Sequence, residues 1–262
     1  MSYIVRPKKS LGQHFLIDLN IAQAIADTLD NYKNTPILEV GPGMGVLTQY
    51  LLSKGHDLTV VELDHESIEY LQENFPELKG HILEEDFLKL DLSKLFSGNF
   101  CVIGNYPYNI SSQIFFKVLE YKDHIPCCSG MIQKEVAERM AAPPGSKTYG
   151  ILSVLLQAWY EIEYLFTVPE HVFNPPPKVK SAVIRLTRNE RVELGCEEKL
   201  FFNVVKTGFN QRRKTLRNSI RGIIPPRFDS PYLNLRPEQL GITDFLQLCQ
   251  DIEKNRNIGD KA

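Results

Sequence analysis

The segment Gly104-Asn105-Tyr106-Pro107-Tyr108-Asn109 combines amides, two aromatic rings and a proline, with no charge among them. An amide oxygen accepts a hydrogen bond. Proline fixes φ near about −65° and donates nothing. An aromatic ring offers a flat face for a base to stack on. Together these residues suit a pocket that holds a planar nucleobase and accepts bonds from its exocyclic amine. They equally suit a proline turn closing a strand over two packed tyrosines, and the rest of the chain has to decide.

A second group of residues points to a nucleoside. Leu38-Glu39-Val40-Gly41-Pro42-Gly43-Met44-Gly45 reads as a strand entering a glycine turn and then a helix, the place where open α/β sheets bind ligands. The spacing is GxGxG, with Val46 where a dinucleotide fingerprint has its third glycine, and no GK[ST] follows for a P-loop. Glu62 ends the next strand, 21 residues after Gly41, where an acid can accept both ribose hydroxyls. Asp86, at the mouth of the third strand, can accept a hydrogen bond from an adenine amino group, with the Phe87 backbone N–H beside it. Glu39 is expected to add negative charge near the loop. So many acids repel a pyrophosphate but tolerate a sulfonium cation such as S-adenosylmethionine. Taken singly, each acid also fits a solvated loop charge or a helix N-cap.

These groups need a sheet to hold them. Short apolar runs at 35–40, 58–63, 81–83, 100–103 and 127–132 read as strands. Segments 46–54, 65–74 and 111–121 between them read as helices. Asp18 is a plausible N-cap for an amphipathic helix over 19–29. This alternation predicts an α/β fold, a Rossmann-like doubly wound sheet. Segments 158–168 and 179–187 read as two more strands and carry an antiparallel edge. Phe173-Asn174-Pro175-Pro176-Pro177 between them must be extended. After about residue 190 the chain turns helical, over 197–208, 211–222, 237–241 and 243–256. The expected domains are a catalytic domain over 1–188, with a basic N-terminal segment 1–17, and a small all-helical C-terminal domain over 189–262.

Composition excludes several classes. A chain of 262 residues with 43% apolar and 24% charged residues is that of a soluble globular protein. No stretch approaches the roughly 18 apolar residues of a membrane helix, and no secretory signal is visible at the N-terminus. Five cysteines without CxxC spacing suggest a reducing cytoplasm and no structural zinc, with Cys127 and Cys128 as core thiols. The net charge of −2 hides segregation, because residues 206–221 hold six cations and no acid. Arg213, Arg217 and Arg221 recur at helical spacing, with Arg212 and Lys214 flanking. Arg6, Lys8 and Lys9 form a second basic cluster; the two are compatible with a polyanion partner such as an RNA backbone, although a charge run equally fits a solvated helix face.

Four motifs in order carry a resemblance: Lys9-Ser10-Leu11-Gly12-Gln13-His14-Phe15-Leu16, Glu39 to Thr48, Asn105-Tyr106-Pro107-Tyr108-Asn109-Ile110 and Val172-Phe173-Asn174-Pro175-Pro176-Pro177-Lys178-Val179. Nearly the whole chain resembles the ribosomal RNA adenine N6,N6-dimethyltransferases, most closely the KsgA type. The resemblance implies methyl transfer from S-adenosylmethionine to two adjacent adenines in the 3′-terminal hairpin of small-subunit (16S) rRNA. It implies a cytoplasmic monomer that meets the immature small subunit. It places Gln13, His14 and Leu16 around the methyl donor with Gly41, Gly43, Glu62, Asp86 and Asn105. Many members carry Asn where His14 stands and a small aliphatic residue where Tyr106 stands. The expected catalytic set is Asn105, a backbone carbonyl at Tyr106 or Pro107, and stacking rings from Tyr108 and Phe173, although Phe173 equally fits a loop anchor. A large-subunit methylase of the macrolide-resistance type, an NAD-dependent dehydrogenase and a non-catalytic assembly factor are the rival readings.

Overall fold

The computed structural model describes residues 5–259, with side chains to residue 256. The first four residues of the expected N-terminal segment and the last three of the expected helical domain lie outside the described residues. The nine strands are β1 (Phe15–Leu16), β2 (Ile37–Val40), β3 (Leu58–Glu62), β4 (Ile82–Glu84), β5 (Cys101–Asn105), β6 (Cys127–Gln133), β7 (Tyr160–Val168), β8 (Phe173–Asn174) and β9 (Ser181–Arg188) among the described residues. Seven of them form one sheet in the order β4-β3-β2-β5-β6-β9-β7. β2 to β6 run parallel, and β9 lies antiparallel to β6. The expected antiparallel margin is therefore present. β1 and β8 make a separate antiparallel pair that the sequence reading left out, with Leu16 opposite Phe173.

The central strands are apolar without alternation because both faces are covered. Ile37, Leu38, Val40, Cys101, Val102 and Ile103 are all buried. Helix α1 (Leu19–Asp27) precedes β2, and α2 (Thr48–Ser53), α3 (His65–Asn74) and α4 (Ser111–Glu120) fill crossovers between parallel strands. Asp18 does cap α1, accepting the N–H groups of Asn20 and Ile21. The helix then buries Ala22, Ile25 and Ala26 on one face.

Two further helices went unread: α5 (Lys134–Met140) and α6 (Ile151–Gln157). They matter to the domain boundary. The chain divides into one compact unit of residues 1–137 with 161–188 and a second of 138–160 with 189–262. The expected first domain of 1–188 thus included a segment that belongs with the C-terminal residues. The reason is packing: α6 lies against α7 (Glu198–Asn210), and Tyr149 meets Phe209 edge-on at 5.9 Å.

The second unit also corrects the expected helix over 211–222. Only α8 (Leu216–Ser219) forms there, before α9 (Ile242–Gly259). Thr215 is extended, and the Leu216 N–H bonds to the Leu235 carbonyl at 2.8 Å instead of continuing a helical ladder. Segment 237–241 is reduced to a 3-10 turn over Pro237–Gln239.

Within the sheet, two glycines make room for one ring. A Cβ on Gly104 would sit 2.5 Å from the Val40 carbonyl and 3.1 Å from the Tyr106 ring. A Cβ on Gly130 would sit 2.2 Å from the Gly104 carbonyl and 2.7 Å from the same ring, and Gly130 has φ +148°. Gly130→Ala is expected to lower the free energy of unfolding by about 2–4 kcal/mol in urea denaturation. Gly98→Ala, in open space, is the control and should change it little. Equal stability of the two variants would contradict the slot.

Candidate active site

The order of the sheet places the site. The chain steps outward from β2 to β3 and β4, then returns to put β5 on the other side of β2. A crevice opens where the order reverses, outside the carboxyl ends of β2 and β5. Ile37 pairs with Cys101 and Glu39 with Ile103. The same offset carried further sets Gly41 beside Asn105. A Cβ on Gly41 would lie 3.9 Å from the Pro107 ring. The glycine loop and the Asn-Tyr-Pro-Tyr segment therefore share one cavity of about 200 Å³.

One wall holds the expected nucleoside contacts. Gly41, Gly43, Glu62, Asp86 and Phe87 all line the cavity. Glu62 is buried, and its carboxylate accepts the backbone N–H groups of Gly43 at 3.1 Å, Leu63 at 2.8 Å and Asp64 at 2.9 Å. Burial pushes its pKa up, against those three donors. Asp86 caps a short turn by accepting the Leu88 N–H at 3.0 Å, and its second oxygen lies 3.4 Å from Lys89. The lining includes the carboxylates Glu62, Glu85 and Asp86 and, among the described residues, no lysine or arginine. That donor set suits a cationic nucleoside and opposes a pyrophosphate.

The N-terminal segment forms the opposite wall, and a buried acid fastens it. Asp64, just after β3, is almost fully enclosed. It binds Lys8 through one oxygen, and Gln13 at 3.1 Å and Ser67 at 3.1 Å through the other. Burial alone would raise the Asp64 pKa, but Lys8 and Gln13 hold it below the usual carboxylate range. Gln13 in turn accepts the Lys8 N–H at 2.8 Å. Gln13 and His14 then line the cavity. The sequence does not single out Asp64, because its partners Lys8 and Gln13 lie more than 50 residues away in the chain.

The base-binding corner is built around His14 and Asn105. The Asn105 Nδ2 donates to the His14 carbonyl at 3.0 Å. A carbonyl can only accept, so the amide is oriented with Oδ1 left as the acceptor. The His14 ring stacks on Tyr108 at 5.3 Å and its Nδ1 lies 2.8 Å from the Pro175 carbonyl. The Tyr108 hydroxyl bonds to Ser181, a partner the motif reading did not include. Tyr106 borders the cavity, but its ring is buried in the glycine slot. Its hydroxyl donates to the Ser129 carbonyl at 2.7 Å and its N–H to the Met131 carbonyl at 3.0 Å. Only its backbone can serve the site.

Several expected residues are elsewhere. Leu16 and Phe173 pair across β1 and β8 and are 5% and 2% exposed within the apolar core, so neither faces the cavity. Phe173 is the loop anchor here and not an open stacking face. Glu39 is buried beneath the loop and accepts the Thr48 hydroxyl at 2.7 Å. Burial pushes its carboxyl up to about 8, with Thr48 opposing and the Glu62 charge adding. It is therefore largely protonated near neutral pH and does not supply the expected charge.

The basic residues are also rearranged. Lys8 is spent on Asp64 and Glu66, whereas Lys9 is exposed. Because only Leu216–Ser219 is helical within 211–222, Arg213, Arg217 and Arg221 do not share a helical face. Arg217 pairs with Asp229 at 2.8 Å, and Arg212 bonds to the Ser146 carbonyl at 3.1 Å with Glu238 at 3.8 Å. Arg213, Lys214 and Arg221 are exposed.

A seven-stranded sheet of this order, with a glycine loop and carboxylates at its switch point, defines a Rossmann-like methyltransferase. The family model for ribosomal RNA adenine dimethylases matches residues 4–240, and the chain belongs to that family. It is 73% identical over 255 residues to a ribosomal RNA small subunit methyltransferase A of Parabacteroides distasonis, covering 96% of each chain. It is 67% identical to the protein of the same name from Phocaeicola vulgatus, covering 95% of this chain and 91% of that one. Among solved structures, a dimethyladenosine transferase from Plasmodium falciparum shares the fold with a TM-score of 0.76 at 24% identity, over 93% of this chain and 98% of that one. The 23S rRNA methyltransferase ErmE matches with a TM-score of 0.66 at 27% identity, over 91% and 99%.

The Glu39 carboxyl gives a test of the buried loop support. The folded state holds a proton that the unfolded chain releases near its ordinary pKa of 4.5. That contribution to stability is complete at acid pH and is lost as pH rises through about 8. Glu39→Gln should remove this downward slope in urea unfolding measured across that window. An unchanged slope in the variant would contradict the assignment.

Proposed function

We propose that this chain is an S-adenosylmethionine-dependent dimethyltransferase of small-subunit rRNA that methylates N6 of two adjacent adenines in the 3′-terminal hairpin. The observation that carries the mechanism is the Asn105 amide, fixed by its Nδ2 bond to the His14 carbonyl, its oxygen having no partner among the described residues. The 64–73% identity to curated small-subunit enzymes favours that substrate over the large-subunit type. S-adenosylmethionine supplies an electrophilic methyl group on a sulfonium sulfur. The acid-lined, lysine- and arginine-free wall suits that cation. The three backbone donors leave one lone pair of Glu62, on Oε2, to accept a ribose hydroxyl, and Asp86 with the Phe87 N–H reads the donor's adenine ring.

The substrate amine is the harder problem. The N6 lone pair is delocalised into the ring, and no side chain removes its protons near neutral pH. The protein therefore works by geometry. The target adenine leaves its stack to enter the cavity. Asn105 Oδ1 accepts one N6–H and a backbone carbonyl accepts the other. The Pro107 carbonyl already receives the Ile110 N–H at 3.3 Å, which makes the Tyr106 carbonyl the better second acceptor. Two acceptors draw the amine toward a tetrahedral shape and aim its lone pair at the methyl group. Tyr108 supplies the stacking face. The methylated amine then loses its proton to solvent. A second round needs only one N6–H, so the pocket still binds the monomethyl amine through one acceptor. The same reading makes the protein a cytoplasmic factor that acts on immature small subunits.

Asn105→Ala should lower kcat for methyl transfer to small-subunit RNA by about 100-fold or more, with donor affinity little changed. Near-normal turnover would sink the assigned role and favour a binding function without catalysis. S-adenosylmethionine should raise the melting temperature, and NAD should not. Stabilisation by NAD alone would return the dehydrogenase reading.

A further inference from the structure

The segment 175–181 is tied at both ends to the base-binding corner. Its Pro175 carbonyl meets the His14 ring at 2.8 Å, and Ser181 bonds to the Tyr108 hydroxyl. Pro177 is buried between these ties, and Lys178, Val179 and Lys180 are exposed, Val179 by 45%. Among the described residues, neither lysine has an acidic partner within ion-pair distance. This separates them from Lys8, Arg212 and Arg217, which face Asp64, Glu238 and Asp229. Lysines on a mobile loop lose backbone freedom when they grip a ligand. Here the prolines and the two ties have already removed it.

We propose that Lys178 and Lys180 hold the RNA phosphates flanking the target adenine, an inference that rests on the methyl-transfer reading above. An adenine that stacks on Tyr108 carries its own sugar and phosphates to the lip of the cavity. Segment 175–181 adjoins that lip through its ties to His14 and Tyr108, which line the cavity. Val179, between the lysines, offers apolar contact to a neighbouring sugar. Phosphate capture and base placement are then coupled through one short stretch of chain, and the catalytic unit supplies its own RNA contact.

The test compares wild type with Lys178→Ala/Lys180→Ala and Lys178→Arg/Lys180→Arg. Small-subunit RNA binding is measured across a salt series, together with steady-state methyl transfer and thermal stabilisation by S-adenosylmethionine. The alanine pair should raise KM for RNA on the order of tenfold and flatten the salt slope by about 1.4, the loss of two single-strand phosphate contacts. Its kcat at saturating RNA and its stabilisation by the donor should match wild type, and the arginine pair should restore KM. An unchanged KM and salt slope overturn the proposal. A fall in kcat at constant KM also overturns it, because the lysines would then be acting through Tyr108. Wild type that methylates neither this RNA nor immature small subunits is a failure of the functional reading instead.

Discussion

The site depends on a tyrosine ring buried where two strands leave room for it. Gly104 on β5 and Gly130 on β6 carry no Cβ at the points where one would strike backbone or the Tyr106 ring. The ring fills that slot and is fastened to the Ser129 carbonyl. The backbone just after β5 is therefore held from below, and the proline that follows restricts it further. Asn105 and Tyr108, on either side, inherit that rigidity. A base pocket made from a loop would otherwise be too loose for chemistry that relies on geometry alone.

Electrostatics divides the work by depth. The deepest acid, Glu39, is protonated and structural. Glu62 is also buried but held by three backbone donors, with one lone pair still open to a ligand. Asp64 is charged because Lys8 and Gln13 pay its desolvation, and that clamp fastens the N-terminal segment over the cavity. Three neighbouring acids thus have three roles. Only the surroundings of each, and not its residue type, decide which.

Much of this was legible in the chain. Continuous apolar runs before Gly41, Glu62 and Asn105 read as buried parallel strands because both faces of such strands are covered. Strand order alone places the glycine turn, the acid that ends β3 and the Asn-Tyr-Pro-Tyr segment at one sheet edge. What stayed hidden depended on contacts distant in sequence. The i, i+4 spacing of Arg213, Arg217 and Arg221 suggested a helix face, but the Leu216–Leu235 bond and the Arg217–Asp229 pair break it up. Phe173 reads equally as a stacking ring or a loop anchor, because the partner that decides, Leu16, lies far away in the chain. The helices at 134–140 and 151–157 gave no clear apolar period. The role of Asp64 needed Lys8 and Gln13 to be folded back onto it.

The central claim is that an oriented amide oxygen receives the substrate amine. The most direct measurement is a crystal structure of the protein with S-adenosylhomocysteine and adenosine bound. The account predicts Asn105 Oδ1 at about 2.9 Å from N6, with Nδ2 still on the His14 carbonyl and the adenine ring against Tyr108. An amide turned away from the base, or an adenine seated outside the crevice between β2 and β5, would contradict it.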